Sequence, residues 1–201
     1  MMRLLLVAMM TIWLTACGNK VPPVAKLAST DVVLAFGDSL TYGTGAKAED
    51  SYPAVLGQLI GRTVVRSGVP GEVTARGLER LPEVLDEHKP KLVIVCLGGN
   101  DMLRKGKPAE IEANLRKILA EIKSRGLDAM LIGVPTPTLI TRPPDFYFNL
   151  AKEFAIPYEG EIITSVLYKS ELKSDPIHPN AAGYRKVAEA VAELMRDAGA
   201  L

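Results

Sequence analysis

The sequence predicts an α/β domain built on a parallel sheet that helices cover on both faces. Two observations lead to this fold class: the candidate strands are continuous apolar runs, and helical patterns separate them along the chain. The candidate strands cover residues 32–36, 63–67, 92–97 and 129–134, with a very short fifth around 156–158. The helical patterns cover residues 52–59, 78–88, 109–125, 146–154, 160–168 and 181–198.

Each strand is predicted from a run of apolar and β-branched residues that a glycine or a proline ends. VVLAF runs up to Gly37, and AMLIGV stops before Pro135. LVIVCL is the strongest strand signal, and a Gly-Gly pair follows it. TVVRS is less apolar than the others, which favours a place nearer the edge of the sheet.

The helices are predicted from apolar residues at helical spacing. Pro53 suits the first turn of the first helix. The helix at 109–125 has its apolar side chains on one face, namely Ile111, Leu115, Ile118, Leu119 and Ile122. The last helix, 181–198, is expected to end before Gly199 and to bury Val187, Val191 and Leu194.

Length and composition favour a single globular domain with an ordinary core. The chain has 201 residues, 48% of them hydrophobic, and a formal net charge of +1. The near-neutral balance gives no electrostatic basis for nucleic-acid binding, and an aromatic content of 5% argues against base-stacking platforms. We therefore expect no nucleic-acid partner, and nothing in the sequence predicts a protein partner.

The first seventeen residues, MMRLLLVAMMTIWLTAC, are typical of an export signal. Arg3 gives a positive start, and Leu4 to Leu14 form an apolar run that is too short to span a bilayer. The run ends in Leu-Thr-Ala-Cys, which resembles the bacterial lipobox and implies cleavage before Cys17, which then carries lipid. An ordinary secretory signal cleaved after Ala16 is the alternative.

The expected boundaries follow from this signal. We expect residues 1–16 to be the lipoprotein signal peptide, residues 17–30 to be a lipidated tether, and residues 31–201 to be the folded domain. The predicted location is the bacterial cell envelope, with the chain held on the outer membrane or the periplasmic face of a membrane through the lipid on Cys17. Cys96 is then the one remaining cysteine, so no intrachain disulfide is expected, and its apolar strand predicts a buried thiol.

Ser39 is the candidate nucleophile, because it follows the first strand in the segment AFGDSLTYG. Ligands of parallel sheets bind beyond the carboxyl ends of the strands, and Gly37 allows the sharp turn that this position needs. A serine hydroxyl becomes an effective nucleophile when a neighbouring base takes its proton. The alternative is that Asp38 or Ser39 only caps a short helix.

The chain has two histidines that can act as this base. His88 lies among charged residues at a predicted helix end, where histidine is usually structural. His178 lies in the loop SDPIHPN, where Asp175 can accept a hydrogen bond from one ring nitrogen and fix the tautomer. Pro176 and Pro179 limit the freedom of that loop, so His178 is the favoured base.

Catalysis by a serine also requires hydrogen-bond donors for a developing oxyanion. The candidates are the backbone N–H of Ser39, the backbone N–H of Gly71 and the side-chain amide of Asn100. Asn100 belongs to the segment GGND, which on composition alone is also typical of a plain turn.

Together these residues resemble the four signature blocks of the SGNH (GDSL) hydrolases, namely Gly37-Asp38-Ser39-Leu40, Gly71, Gly98-x-Asn100-Asp101 and Asp175-x-x-His178. The similarity covers roughly residues 32–195, and the most similar subgroup is the small bacterial thioesterase I, arylesterase and lysophospholipase enzymes. The resemblance implies a flavodoxin-like three-layer αβα sandwich with about five parallel strands. It also implies that Ser39 is the nucleophile, His178 the base and Asp175 its partner, with Gly71 and Asn100 completing the oxyanion hole.

Two segments depart from that subgroup. The stretch from Pro135 to Phe148 is shorter than the region that helps to shape the acyl groove there, so a preference for long acyl chains is not implied. The loop after GGND is more basic, and its Arg104 and Lys105 either meet an anionic substrate or are simply solvated.

The expected function is hydrolysis of small acyl esters through an acyl-enzyme on Ser39, with no metal or organic cofactor. Arylesterase, lysophospholipase and thioesterase-like activities all agree with the resemblance. One alternative is an esterase that removes O-acetyl groups from envelope glycans. An alternative of a different class is a non-catalytic envelope lipoprotein that binds a glycan or a peptide on the same fold.

Overall fold

A computed structural model describes residues 21–136 and 142–201, and every structural statement below refers to these ranges. The expected signal peptide, Cys17 and part of the stretch between Pro135 and Phe148 lie outside them. Five strands form one all-parallel sheet in the order β2-β1-β3-β4-β5. The strands are β1 Val32–Gly37, β2 Thr63–Gly68, β3 Leu92–Cys96, β4 Asp128–Ile132 and β5 Tyr158–Glu159.

The helices in the described ranges cover both faces of this sheet. They are α1 Ser39–Tyr42, α2 Tyr52–Ile60, α3 Thr74–His88, α4 Gly99–Leu103, α5 Pro108–Ser124, α6 Asp145–Glu153, α7 Ile162–Tyr168 and α8 Ala181–Asp197. Helix α2 packs on α8, and α3 packs on α5. Since right-handed crossovers place the β1–β2 connection and the β2–β3 connection on opposite faces, these pairs form the two outer layers of the sandwich. None of these helices is both long and apolar enough to cross a membrane.

The sheet confirms the predicted fold class and the predicted strand types. Strands β1 and β3 are central, and all residues of β3 are buried, as its continuous apolar run predicts. Strand β2 lies at one edge, and its residues are exposed or half-buried, which confirms the place expected for TVVRS. The strand order is the flavodoxin-like one, with the topological switch point between β1 and β3.

One difference from the sequence expectation has a clear physical cause. Helix α3 begins at Thr74, four residues before the helical pattern predicts, because Asp101 accepts hydrogen bonds from both the backbone N–H and the hydroxyl of Thr74. The segment GGND, for which a plain turn was the alternative, begins the short helix α4 with Gly98 as the N-cap. Gly98 allows this helix to start, since its φ of 118° lies in the left-handed region.

The packed part of the chain begins before Asp31, where the domain was expected to start. Leu27 is buried in the core. The N–H groups of Val24 and Leu27 donate to the carbonyl oxygens of Ala198 and Ala200 at 3.0 and 2.9 Å. The described part of the expected tether is therefore docked on the domain, because its apolar side chains and backbone donors find partners at the end of α8.

Candidate active site

Ser39 lies at the sharp turn between β1 and α1, at the carboxyl edge of the sheet. The turn requires glycine at position 37, where an added Cβ would lie 2.1 Å from the carbonyl oxygen of Cys96. Asp38 caps α1, because its Oδ1 accepts the N–H of Leu40 at 3.0 Å. Asp38 is therefore the residue that caps α1, and the hydroxyl of Ser39 contacts a different residue.

That partner is His178, across 139 positions of sequence. The distance between Ser39 Oγ and His178 Nε2 is 3.0 Å, and His178 Nδ1 lies 2.7 Å from Asp175 Oδ2. For Nε2 to accept the proton of the serine, Nδ1 must carry the ring hydrogen and donate it to Asp175. The structure thus brings together the serine, the histidine and the acid that the sequence singled out.

The loop that carries His178 is closed by its own hydrogen bonds. Asp175 Oδ1 accepts the N–H groups of Ile177 and His178 at 2.8 and 2.9 Å. The N–H of Ser174 donates to the carbonyl oxygen of His178 at 2.9 Å, and Asn180 caps α8. Partial burial would raise the pKa of Asp175, but the hydrogen bonds from His178 and Ile177 outweigh it and lower the pKa, which keeps the carboxylate ionised.

His88 lies at the opposite end of the domain. It ends α3 beside Glu87, with 3.8 Å between Nε2 and the carboxylate oxygen. Three residues later, the N–H of Lys91 donates to the carbonyl oxygen of Val32, which begins β1. His88 is therefore at the amino-terminal edge of the sheet and does not line the cleft.

A small cleft joins Ser39, Asn100 and His178. Its remaining walls are mostly apolar, and the lining residues include Leu103, Val134, Pro135, Leu167 and Ile177. The volume enclosed by the described residues is about 30 Å³. The cleft is shallow and partly open to solvent, so only a small part of it is enclosed by the described residues.

Two candidate oxyanion donors, Ser39 and Asn100, line this cleft, and Asn100 contacts the loop that carries the third, Gly71. Among the described residues, the N–H groups of Ser39 and Gly71 have no hydrogen-bond acceptor. Asn100 Nδ2 donates to Asp38 Oδ2 at 3.2 Å and to the carbonyl oxygen of Glu72 at 3.0 Å. Gly71 precedes Glu72 directly, so the asparagine amide also ties its own loop to the Gly71 loop.

The contact with Asn100 depends on a carboxyl group that is completely buried. Burial is the largest cause that raises the pKa of Asp38, to about 7, although the N–H of Leu40 and the amide of Asn100 favour the ionised form. Asp38 thus links the cap of α1 to the orientation of Asn100. The sequence predicts Asp38 only as a possible cap, although its place directly before Ser39 indicates that it lies at the site.

Arg80 is a second feature that the sequence analysis missed. Its guanidinium binds both carboxylate oxygens of Glu72 at 2.7 and 2.8 Å and also donates to Ser67 and to the carbonyl oxygen of Gly37. It lies 4.2 Å above the ring of Phe36. One side chain therefore joins the end of β1, the end of β2 and the Gly71 loop. No local pattern signals this, because the partners come from separate segments.

The remaining candidate residues, Cys96, Arg104 and Lys105, lie outside the catalytic contacts. Cys96 is fully buried, and burial raises the pKa of its thiol well above the usual range, so it is not poised as a nucleophile. Arg104 Nη2 donates to the carbonyl oxygen of Gly71 at 2.9 Å, so this cation stabilises the Gly71 loop. Lys105 is exposed.

The fold and the comparisons with known proteins define the class of this protein. The model of the GDSL-like lipase/acylhydrolase family matches residues 35–186. The chain belongs to this family, and it is a hydrolase of ester bonds. This confirms the resemblance found in the sequence and the expected class of activity.

Individual relatives agree with the expected subgroup. The chain is 32% identical over 179 residues to "Thioesterase 1/protease 1/lysophospholipase L1" of Escherichia coli strain K12, covering 85% of this chain and 86% of that protein. It is 31% identical to an arylesterase of Vibrio mimicus, covering 82% of this chain and 88% of that protein. The solved structure of the SGNH-hydrolase family esterase AlinE4 is similar at 32% identity with a TM-score of 0.66, covering 86% of this chain and 98% of that one.

Proposed function

We propose that this chain is a serine esterase in which Ser39, His178 and Asp175 act as a catalytic triad. The observation that carries the proposal is the continuous line of contacts from Ser39 Oγ to His178 Nε2 and from His178 Nδ1 to Asp175. A serine, a histidine and a buried or hydrogen-bonded carboxylate in this order are the recurring solution for acyl transfer on unrelated folds.

In the first half of the reaction, Ser39 Oγ attacks the carbonyl carbon of the ester, and its proton passes to His178 Nε2. The tetrahedral intermediate collapses, the alcohol leaves with the proton from His178, and the acyl group stays on Ser39. In the second half, His178 takes a proton from water, the hydroxide attacks the acyl carbon, and the carboxylic acid leaves as Ser39 regains its proton. Asp175 stays ionised and holds the imidazole in the required tautomer.

The oxyanion is assigned to the N–H groups of Ser39 and Gly71 and to the amide of Asn100. Both amide hydrogens of Asn100 point at protein acceptors, at 3.2 Å for Asp38 and 3.0 Å for Glu72. We infer that the oxyanion takes over one of these hydrogens. The acceptor that keeps its hydrogen bond then holds the amide plane in place while charge develops.

The size of the cleft supports esters with short acyl groups as substrates. Its apolar walls suit an alkyl chain, and the small space that the described residues enclose beside Ser39 fits an acetyl or propionyl group. This favours acetyl esters, including O-acetyl groups on glycans, over lysophospholipids with long acyl chains.

The anchoring of the chain is part of the same proposal. The Leu-Thr-Ala-Cys sequence and the apolar run before it support lipid attachment at Cys17 and a place in the bacterial cell envelope. Incorporation of labelled palmitate in a bacterial host should depend on Cys17, and a Cys17→Ser variant should remain unlabelled. A wild-type product without label would contradict the anchor.

A panel of nitrophenyl esters from acetyl to decanoyl tests the assignment of activity and substrate. We expect kcat/KM to be highest for the acetyl or propionyl ester and to fall by at least tenfold at octanoyl, because a longer chain has no enclosed space. Ser39→Ala should lose turnover of every ester. Activity that increases with chain length would contradict the short cleft, and a folded wild type with no activity on any ester would favour the non-catalytic alternative.

A further inference from the structure

The described chain starts at one particular edge of the sheet. Val21 lines an apolar groove below β5, between α6 and α8, with a volume of about 370 Å³ and with walls that include Phe148, Ala151, Ile156 and Leu194. Val21 and Val24 also pack against the core.

The segment that follows Val21 is held by several contacts. The N–H of Ala25 donates to Asp128 Oδ2 at 2.8 Å, and Arg62 donates to the carbonyl oxygen of Leu27 at 3.3 Å. With the two backbone hydrogen bonds to the end of α8, these contacts fix the entry point of the chain. The chain between Val21 and β1 is therefore held against the domain.

The distance from the lipid site to this groove is short. Val21 lies four positions after Cys17, and a fully extended chain over that separation spans at most about 14 Å. The opposite edge of the sheet, β2, lies four strand spacings from β5, or about 19 Å. Cys17 itself is therefore held near the surface around Val21 and does not reach the β2 edge, so its lipid enters the bilayer beside the β5 edge.

The surface around Val21 also carries an aromatic side chain that suits contact with a bilayer. Phe148 is 52% exposed and packs beside Tyr158 of β5, with 6.1 Å between the ring centroids. Lys152 lies 5.8 Å from the ring of Phe148, where its ammonium can meet a lipid phosphate. Of the neighbouring acids, Glu153 is paired with Arg116, and Glu159 accepts the N–H groups that begin α7.

We propose that the β5 edge, defined by Val21, Phe148, Lys152 and Tyr158, is the surface that faces and contacts the bilayer. The proposal rests on lipid attachment at Cys17 as proposed above. The covalent lipid provides the affinity for the bilayer, and the short chain between Cys17 and Val21 determines that the β5 edge faces it. The β2 edge, with its exposed Tyr42 beside Arg66, faces away from the membrane.

Two matched variants test this orientation in the full-length lipidated protein. Phe148→Cys and Tyr42→Cys each replace an exposed aromatic residue, 52% and 45% exposed, at opposite edges of the sheet. Each thiol is labelled with the same fluorescent dye, while Cys96 is buried and unreactive. The proteins are reconstituted into vesicles of phosphatidylethanolamine and phosphatidylglycerol that carry nitroxide quenchers on their headgroups.

We expect the dye at position 148 to be quenched at least threefold more strongly than the dye at position 42. Equal quenching, or stronger quenching at position 42, overturns the orientation. Mass spectrometry of the N-terminal peptide separates this failure from failure of its premise, because a protein without lipid on Cys17 overturns anchoring and orientation together. Turnover of nitrophenyl acetate verifies that both labelled variants are folded. If wild type shows no turnover, the proposed reaction is overturned, but the proposed orientation on the membrane is not.

Discussion

Replacement of Asp38 by asparagine should make the domain more stable at alkaline pH and less active. In the folded chain, burial raises the pKa of Asp38 to about 7 from the ordinary value of 3.8. Folding therefore favours the protonated carboxyl. The contribution of the protonated Asp38 carboxyl to the free energy of unfolding is fully present below pH 4 and is lost as the pH rises through 7. At pH 8 the ionised carboxylate costs the folded state about 4 kcal/mol relative to the neutral form, at about 1.4 kcal/mol per pH unit.

The side chain introduced by Asp38→Asn has no charge to bury. Its oxygen can still accept the N–H of Leu40, but its NH₂ group faces Asn100 Nδ2, so one hydrogen bond is lost at about 1 kcal/mol. The variant should thus be about 3 kcal/mol more stable than wild type at pH 8 and about 1 kcal/mol less stable at pH 4. Its kcat should fall at least tenfold, because Asn100 loses the acceptor that orients it.

Urea unfolding of residues 21–201, followed by circular dichroism at several pH values, measures this difference. The comparison of variant with wild type at each pH cancels the titration of the groups that both share. A variant that is destabilised equally at pH 4 and pH 8 would refute the assignment of a buried, high-pKa carboxyl to Asp38. A variant with unchanged kcat would refute the role of Asp38 in orienting Asn100.

Four further substitutions test the site. His178→Ala should remove nearly all turnover of nitrophenyl acetate, whereas His88→Ala should leave it within about twofold, and equal losses would mean that the histidine assignment is wrong. Asp175→Asn should lower kcat by about 10²–10⁴-fold with circular dichroism unchanged, since the imidazole loses the acceptor that fixes its tautomer, and a loss below about threefold would contradict this role. Arg80→Met should lower kcat per titrated active site at least tenfold with little change in KM, because Arg80 holds Glu72 and the Gly71 loop. A lower melting temperature with unchanged kcat would make Arg80 merely structural.

The sequence predicts those parts of this protein that depend on local patterns. The strands are predicted by short apolar runs, because strands of this sheet are buried on both faces. Ser39 and Asn100 each follow a strand and His178 lies in a loop, so the sequence also predicts that the three meet at one edge of the sheet. The loop around His178 was also predictable, because Asp175 and the prolines constrain it within a few residues.

The parts that the sequence did not predict depend on contacts between distant segments. The early start of α3 requires Asp101, 27 positions away, to bind Thr74. The docking of the chain before Asp31 requires partners at the end of α8, and the roles of Asp38 and Arg80 require strands from separate parts of the chain to lie side by side. No periodicity or composition within one segment encodes such pairings.

The reaction of Ser39 with a fluorophosphonate probe tests the central claim most directly. The probe bonds only to a serine whose proton a neighbouring base can take, so it reports the contact between Ser39 and His178 and not the fold alone. We predict one equivalent of label on the peptide that contains Ser39, no label in Ser39→Ala, and labelling slowed at least a hundredfold in His178→Ala. A folded wild-type protein that stays unlabelled, or that is labelled on another residue, would contradict the account.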